Sequence, residues 1–210
     1  MSYSNSRTRT SQMVLLAMLI AVLVVLGYVN IPMPAGLSIT FNMIPVAIGA
    51  IAMGLPGGAI VGGAFGMISF LQCFNLLGSS PMGAALVGYS PFLMFIQRFV
   101  SRLLVGVLTA LIYKYLRKRD VNKYLRKRNI NVPLRCGITG FAAAFLNTLF
   151  FMSLLVLLFG QTEYMQNSMA GRGFFTYIIA SVGINAVVEM LVAALVTSAV
   201  GTALIKARLV

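Results

Sequence analysis

The chain has 210 residues, 60% of them hydrophobic and 9% charged, with a formal net charge of +13. Soluble domains carry about a quarter charged residues and under half apolar ones, so the composition excludes an ordinary soluble domain and describes an all-α integral membrane protein. Nucleic acid is not an expected partner despite the basic excess, because Lys and Arg cluster at the ends of apolar segments, where membrane topology accounts for them.

Residues 13–29 (MVLLAMLIAVLVVLGYV) are predicted as the first span, behind a short polar leader with Arg7 and Arg9. This run is long enough to remain as a span, so no cleaved signal peptide is expected. Residues 30–40 hold Pro32, Pro34 and Gly36 and read as a loop. The second span, 39–54, is short: about 16 residues cover ~24 Å at ~1.5 Å each. Its Pro45 sits near the start, where proline is tolerated best. A tight turn at 55–57 leads to the third span, 58–74. Residues 75–88 form a glycine-rich connection, and span four is 90–114. A basic linker follows at 117–135, then span five at 134–160. A polar loop at 161–173 precedes span six at 174–205. The expectation is one domain, 1–210, built as a six-transmembrane-helix bundle.

Six spans put both ends on one side. That side collects Arg7, Arg9, the linker and the Lys206/Arg208 tail, whereas the opposite loops hold only Arg172. The positive-inside rule then places the N- and C-termini in the cytoplasm of a multi-pass membrane chain. The linker reads as a topology determinant; binding of anionic headgroups is the alternative.

Span four carries Arg98 and Arg102, four apart and so on one helical face. An arginine in hydrocarbon costs roughly 2.5–3.5 kcal/mol on the insertion scale, so each needs a counter-ion, water or a ligand. Glu189 is the single acid inside a predicted span, since Asp120 and Glu163 fall in loops. Depth pairs Glu189 with Arg102 and leaves Arg98 in the outer half. A free guanidinium there suits a carboxylate or phosphate, to which it offers two parallel donors. The alternative is a structural ion pair, with Arg98 reaching the headgroups. Asn147 and Asn185 fall near the middle of spans five and six, where they serve either a polar ligand or interhelical hydrogen bonds. Gln72, Asn75 and Tyr89 fall near the outer mouth, either closing over a ligand or as solvated loop ends.

Small residues make a second pattern. Gly58, Gly62 and Gly66 recur every four residues, which lets another backbone approach closely. Ala17 and Ala21 form AxxxA on an otherwise bulky apolar helix, a surface on which a partner helix could dock.

Catalytic and cofactor signatures are missing. The chain has no histidine, and its two cysteines, Cys73 and Cys136, fall on opposite sides of the bilayer, so neither a zinc site nor a disulfide is expected. There is no glycine-rich nucleotide loop with its lysine and no serine–histidine arrangement. No enzyme activity, cofactor or metal is expected. Nor is there a convincing inverted repeat of the kind many stand-alone secondary transporters display.

The chain resembles the substrate-binding S-components of energy-coupling factor (ECF) vitamin transporters across all six predicted spans. The resemblance is carried by Ala17/Ala21, by SITFNMIPVAIGAIAMG at 38–54 and by GGAIVGGAFGMISF at 57–70. It is greatest to the pantothenate-specific branch, in region 39–70 and in the arginine of span four. A mild departure is the short turn Gly54-Leu55-Pro56-Gly57-Gly58. The resemblance implies a bacterial plasma membrane, with a vitamin bound from outside and then delivered inward when the S-component joins a transmembrane coupling protein carrying two cytoplasmic ATPases. It implies that Ala17 and Ala21 dock the coupling protein. For pantothenate, Arg98 would take the carboxylate, and Asn147 and Asn185 the other polar groups. A cationic vitamin would call on Glu189 instead. A stand-alone small transporter or a ligand-free scaffold are the other readings.

Overall fold

The computed structural model describes residues 3–29, 31–32, 38–121, 131–169 and 174–207. Several basic groups behind the expected topology lie outside the described residues or side chains, among them Arg7, Arg9, Arg172, Arg208 and those at 122–130. The described chain is helical almost throughout. Helix α1 spans Tyr3–Tyr28, α2 Met43–Leu71, α3 Pro81–Val87 and α4 Pro91–Phe95; α5 is Ser101–Val121, α6 Val132–Phe159, α7 Glu163–Met169 and α8 Phe174–Lys206. A 3-10 turn at Gln72–Phe74 follows α2, and a π turn at Ile96–Val100 joins α4 to α5. Five of the described helical stretches are long and apolar enough to cross a membrane.

Helix α2 is two arms. Gly54 has φ 66° and ψ −141°, a conformation open in practice to glycine alone. A Cβ at Gly49 would lie 2.8 Å from Val61 Cγ2 and 3.3 Å from the Gly57 carbonyl oxygen. In a straight helix residues 49 and 61 would stand about 18 Å apart at ~1.5 Å per residue. The arms therefore lie side by side, and the chain reverses at Gly54, just before the predicted turn at 55–57. Pro56 falls in the first turn of the second arm, where its missing N–H costs nothing.

That second arm carries the glycine stripe. A Cβ on Gly58 would collide with the Gly106 carbonyl oxygen, and one on Gly62 would lie 2.7 Å from the Arg102 carbonyl oxygen. Gly66 is as tight, with Phe99 Cα at 2.9 Å. The stripe thus fixes the depth and rotation of the segment that bears Arg98 and Arg102. Aromatic rings brace the same segment: Phe70 meets Phe95 edge-on at 5.2 Å, and Phe95 stacks on Phe99 at 5.2 Å. On the other side of the bundle α6 packs on α8, where Gly140 meets the Ala193 carbonyl and Thr197.

Three loops of the sequence reading contain ordered elements, and predicted span four opens with a short helix of its own. Ser80-Pro81 and Ser90-Pro91 each start a helix, with proline in the first turn and the serine as cap. Ser80 Oγ accepts from the Gly83 amide at 3.3 Å and Ser90 Oγ from the Leu93 amide at 3.4 Å. The region 161–173, read as polar loop, contains α7. In the first loop, β1 (Ile31–Pro32) and β2 (Ser38–Ile39) pair antiparallel, Ile31 opposite Ile39.

Burial is inverted relative to a water-soluble protein. Large apolar side chains face outward, with Met13 69%, Phe92 72%, Leu157 78% and Leu195 71% exposed, while Gln97, Ser101 and both span-four arginines are buried. Outward apolar faces are what a hydrocarbon solvent accepts without cost. One apolar core lies between α1, α2, α5 and α6, around Leu23, Val46, Phe65 and Val105. A second, rich in methionine, joins α3, α4, α6 and α7 through Met82, Met94, Met152 and Met165.

Candidate functional site

Three buried polar side chains, Gln97, Arg98 and Arg102, meet at Phe151 on α6. The Arg98 guanidinium carbon lies 5.0 Å from the centre of its ring and that of Arg102 4.5 Å; Arg102 also lies 5.1 Å from the Phe65 ring. Gln97 Nε2 donates to the Phe151 carbonyl oxygen at 3.3 Å. Asn147 precedes Phe151 by one helical turn, so it shares that face of α6.

Arg98 is held at its tip. Nη1 donates to Ser69 Oγ at 3.3 Å and Nη2 to Ser80 Oγ at 2.9 Å. Ser80 thereby links two jobs, capping α3 and holding the guanidinium. Gly83 leaves the room for this, since a Cβ there would lie 2.8 Å from Arg98 Nη2 and 2.7 Å from Cys73 Sγ. Arg102 donates to Ser101 Oγ at 2.9 Å, and Ser101 donates in turn to the Gln97 carbonyl oxygen at 2.6 Å. Both arginines are 5% exposed, and the Nε of each is buried without a hydrogen-bond partner. Rings and hydroxyls are neutral. Among the described residues neither guanidinium meets a carboxylate.

Glu189 makes no direct contact with Arg102 but lies within electrostatic reach of it. Its Oε1 accepts a hydrogen bond from the backbone amide of Thr40 at 2.8 Å.

The remaining expected residues divide. Asn147 is at the site, and its Oδ1 is buried without a partner. Asn185 lies on α8, but its side chain is outside the described ones. Gln72 is buried and committed elsewhere: its Nε2 donates to the Gly27 carbonyl oxygen at 3.1 Å, tying α2 to α1. Asn75 ends the 3-10 turn with φ 58°, a left-handed position that asparagine tolerates. Tyr89 is 53% exposed between α3 and α4. Ala17 and Ala21 are exposed on α1, on the side opposite buried Leu19 and Leu23.

Several buried groups escaped the sequence reading. Gln97 is fully buried, and its Oε1 lacks a partner. Asn42 occupies the N-cap position of α2 yet caps nothing; it is 1% exposed, and both of its amide atoms lack partners. A signal was present for Gln97, an amide beside an arginine within an apolar span. Ser69, Ser80 and Phe151 carried none, because serines near helix ends and phenylalanines in spans are common.

Comparison with known proteins places this geometry. The profile of the family described as ECF transporter, substrate-specific component, matches residues 11–201. The chain is 29% identical over 215 aligned residues to a protein named pantothenic acid transporter PanT from Lactococcus lactis subsp. cremoris (strain MG1363), covering 96% of this chain and 97% of that one. It is 27% identical over 210 residues to a pantothenate transporter PanT from Leuconostoc mesenteroides subsp. mesenteroides, with 96% and 95% covered.

Proposed function

We propose that this chain, which belongs to the family of ECF transporter substrate-specific components, captures pantothenate or a similar carboxylate vitamin at the Phe151 site. The observation that carries the reading is the pair of buried arginines with unpartnered Nε groups and, among the described residues, no carboxylate in contact with either. An uncompensated buried charge costs several kcal/mol, which an anionic ligand offsets. The names of the two relatives favour pantothenate among carboxylates.

In this reading Arg98 takes the carboxylate and Arg102 supports it electrostatically. Asn147, and Asn185 from α8, serve the other polar groups. Asn75 and Tyr89 flank the mouth, where Gln72 ties down α1 rather than touching ligand. The two arms of α2 count as separate spans, giving six with both termini in the cytoplasm. Binding occurs from outside. Release inward requires a transmembrane coupling protein with two ATPases, which docks on the exposed Ala17/Ala21 face of α1; the chain itself catalyses nothing.

A vitamin screen tests this. Purified protein is melted in detergent with each water-soluble vitamin. A ligand at 100 times its dissociation constant stabilises by about 2.7 kcal/mol. A shift with pantothenate is expected. A shift with a cationic vitamin alone overturns the role given to Arg98.

A further inference from the structure

Hydrogen-bond bookkeeping at the site runs in two directions. The arginines leave donors unpartnered, at Nε of Arg98 and Nε of Arg102. Gln97 Oε1 and Asn147 Oδ1 leave acceptors unpartnered. The great majority of buried polar atoms in native proteins find a partner, so each of these four asks for an explanation. A carboxylate satisfies donors only. It has no proton to give an amide oxygen.

The Gln97 amide has a settled orientation. Its neighbour, the Phe151 carbonyl, can only accept, so the group facing it at 3.3 Å must be the NH2. The oxygen then points elsewhere, and it is buried in a residue with 0% exposure. Gln97 also sits in the π turn Ile96–Val100, directly before Arg98. Such turns are rare and frequently occur at functional sites. Here the turn is braced by the Phe95–Phe99 stack and by the Ser101 hydroxyl, which donates to the Gln97 carbonyl oxygen.

We infer that Gln97 is a specificity-determining residue: its Oε1 accepts a hydrogen bond from a hydroxyl or amide N–H on the same ligand whose carboxylate Arg98 binds. The site thus selects a carboxylate that carries a donor group over a plain fatty or keto acid. Discrimination of this kind is steep, because a ligand lacking the donor leaves the buried oxygen unsatisfied. The inference rests on the reading of the site as a carboxylate-vitamin site.

The test uses equilibrium binding of radiolabelled pantothenate, with competition by analogues that each lose one donor: either hydroxyl replaced by hydrogen, or the amide N–H replaced by an ester oxygen. Wild-type protein should bind at least one analogue about tenfold more weakly than pantothenate. Gln97→Met should bind pantothenate roughly ten- to hundredfold more weakly, and bind that analogue no worse than pantothenate. Gln97→Glu keeps an oxygen acceptor; its overall affinity falls, and its preference for pantothenate over that analogue persists. This second variant decides the matter if the methionine variant does not fold. Unchanged affinity in Gln97→Met, or equal wild-type binding of all three analogues, overturns the inference while the carboxylate reading stands. Failure of wild-type protein to bind pantothenate or any other carboxylate vitamin overturns both.

Discussion

The Glu189 carboxylate accepts a hydrogen bond from the Thr40 backbone amide at 2.8 Å, joining groups 149 positions apart in sequence. The bond fixes the chain between β2 and α2 to the middle of the last helix. A neutral amide leaves the carboxylate its charge, which stays within electrostatic reach of Arg102. Glu189→Gln should therefore be mild, because an amide oxygen still accepts from Thr40. Glu189→Ala should cost about 1–3 kcal/mol and speed amide hydrogen exchange at 38–42. If Gln is as damaging as Ala, charge rather than acceptance is what Glu189 supplies.

Arg98→Ala should abolish carboxylate binding while the protein still folds. Its melting temperature without ligand should not fall, because the substitution removes a buried charge that has only neutral partners. Arg98→Lys should recover little affinity, since a lysine cannot reach Ser69, Ser80 and a carboxylate with a planar fork. Binding of pantothenate to Arg98→Ala at wild-type affinity would sink the assignment.

Gly83→Ala adds one methyl where Arg98 Nη2, Cys73 Sγ and Ser80 Oγ converge, all within 2.9 Å of the new carbon. The guanidinium is the mobile partner and should be displaced. Affinity should fall about tenfold or more with a smaller loss of stability. Parallel titrations and melts of the variant separate the two effects.

Gly106→Ala should be costly for a different reason. The new Cβ meets the backbone of Gly58, and backbone cannot swing aside as a side-chain tip can. Overpacking of this kind costs typically 1–3 kcal/mol. The α2–α5 crossing should open, carrying Arg102 away from Phe151, so stability and binding fall together.

Ala17→Trp and Ala21→Trp should spare binding and block uptake. Both positions are exposed, so a large ring disturbs no packing within the bundle but prevents close approach of another helix. Uptake is measured in cells or vesicles holding the full transporter, binding with the purified chain. Undiminished uptake in both variants would move the docking surface elsewhere.

Composition and hydropathy alone decided that the chain is a helical membrane protein, because hydrocarbon accepts few other compositions and almost no unpaired backbone. The sequence also marked Arg98 and Arg102 as candidate site residues, since charge in an apolar span is expensive wherever it packs. The Gly58-Gly62-Gly66 spacing announced a close helix contact but not its partner, which proved to be the arginine-bearing segment itself. Only the tertiary structure decided which charges meet. Phe151 lies about 50 residues from the arginines it faces, and Thr40 bonds Glu189 from 149 positions away. Pairing across a bundle depends on the rotation of each helix and on where intervening loops fold back. Neither is encoded in the local periodicity by which a span is read. The π turn has the same character: the sequence offered an amide beside an arginine, but bonds and ring contacts made with α2 and α6 decide where that amide points.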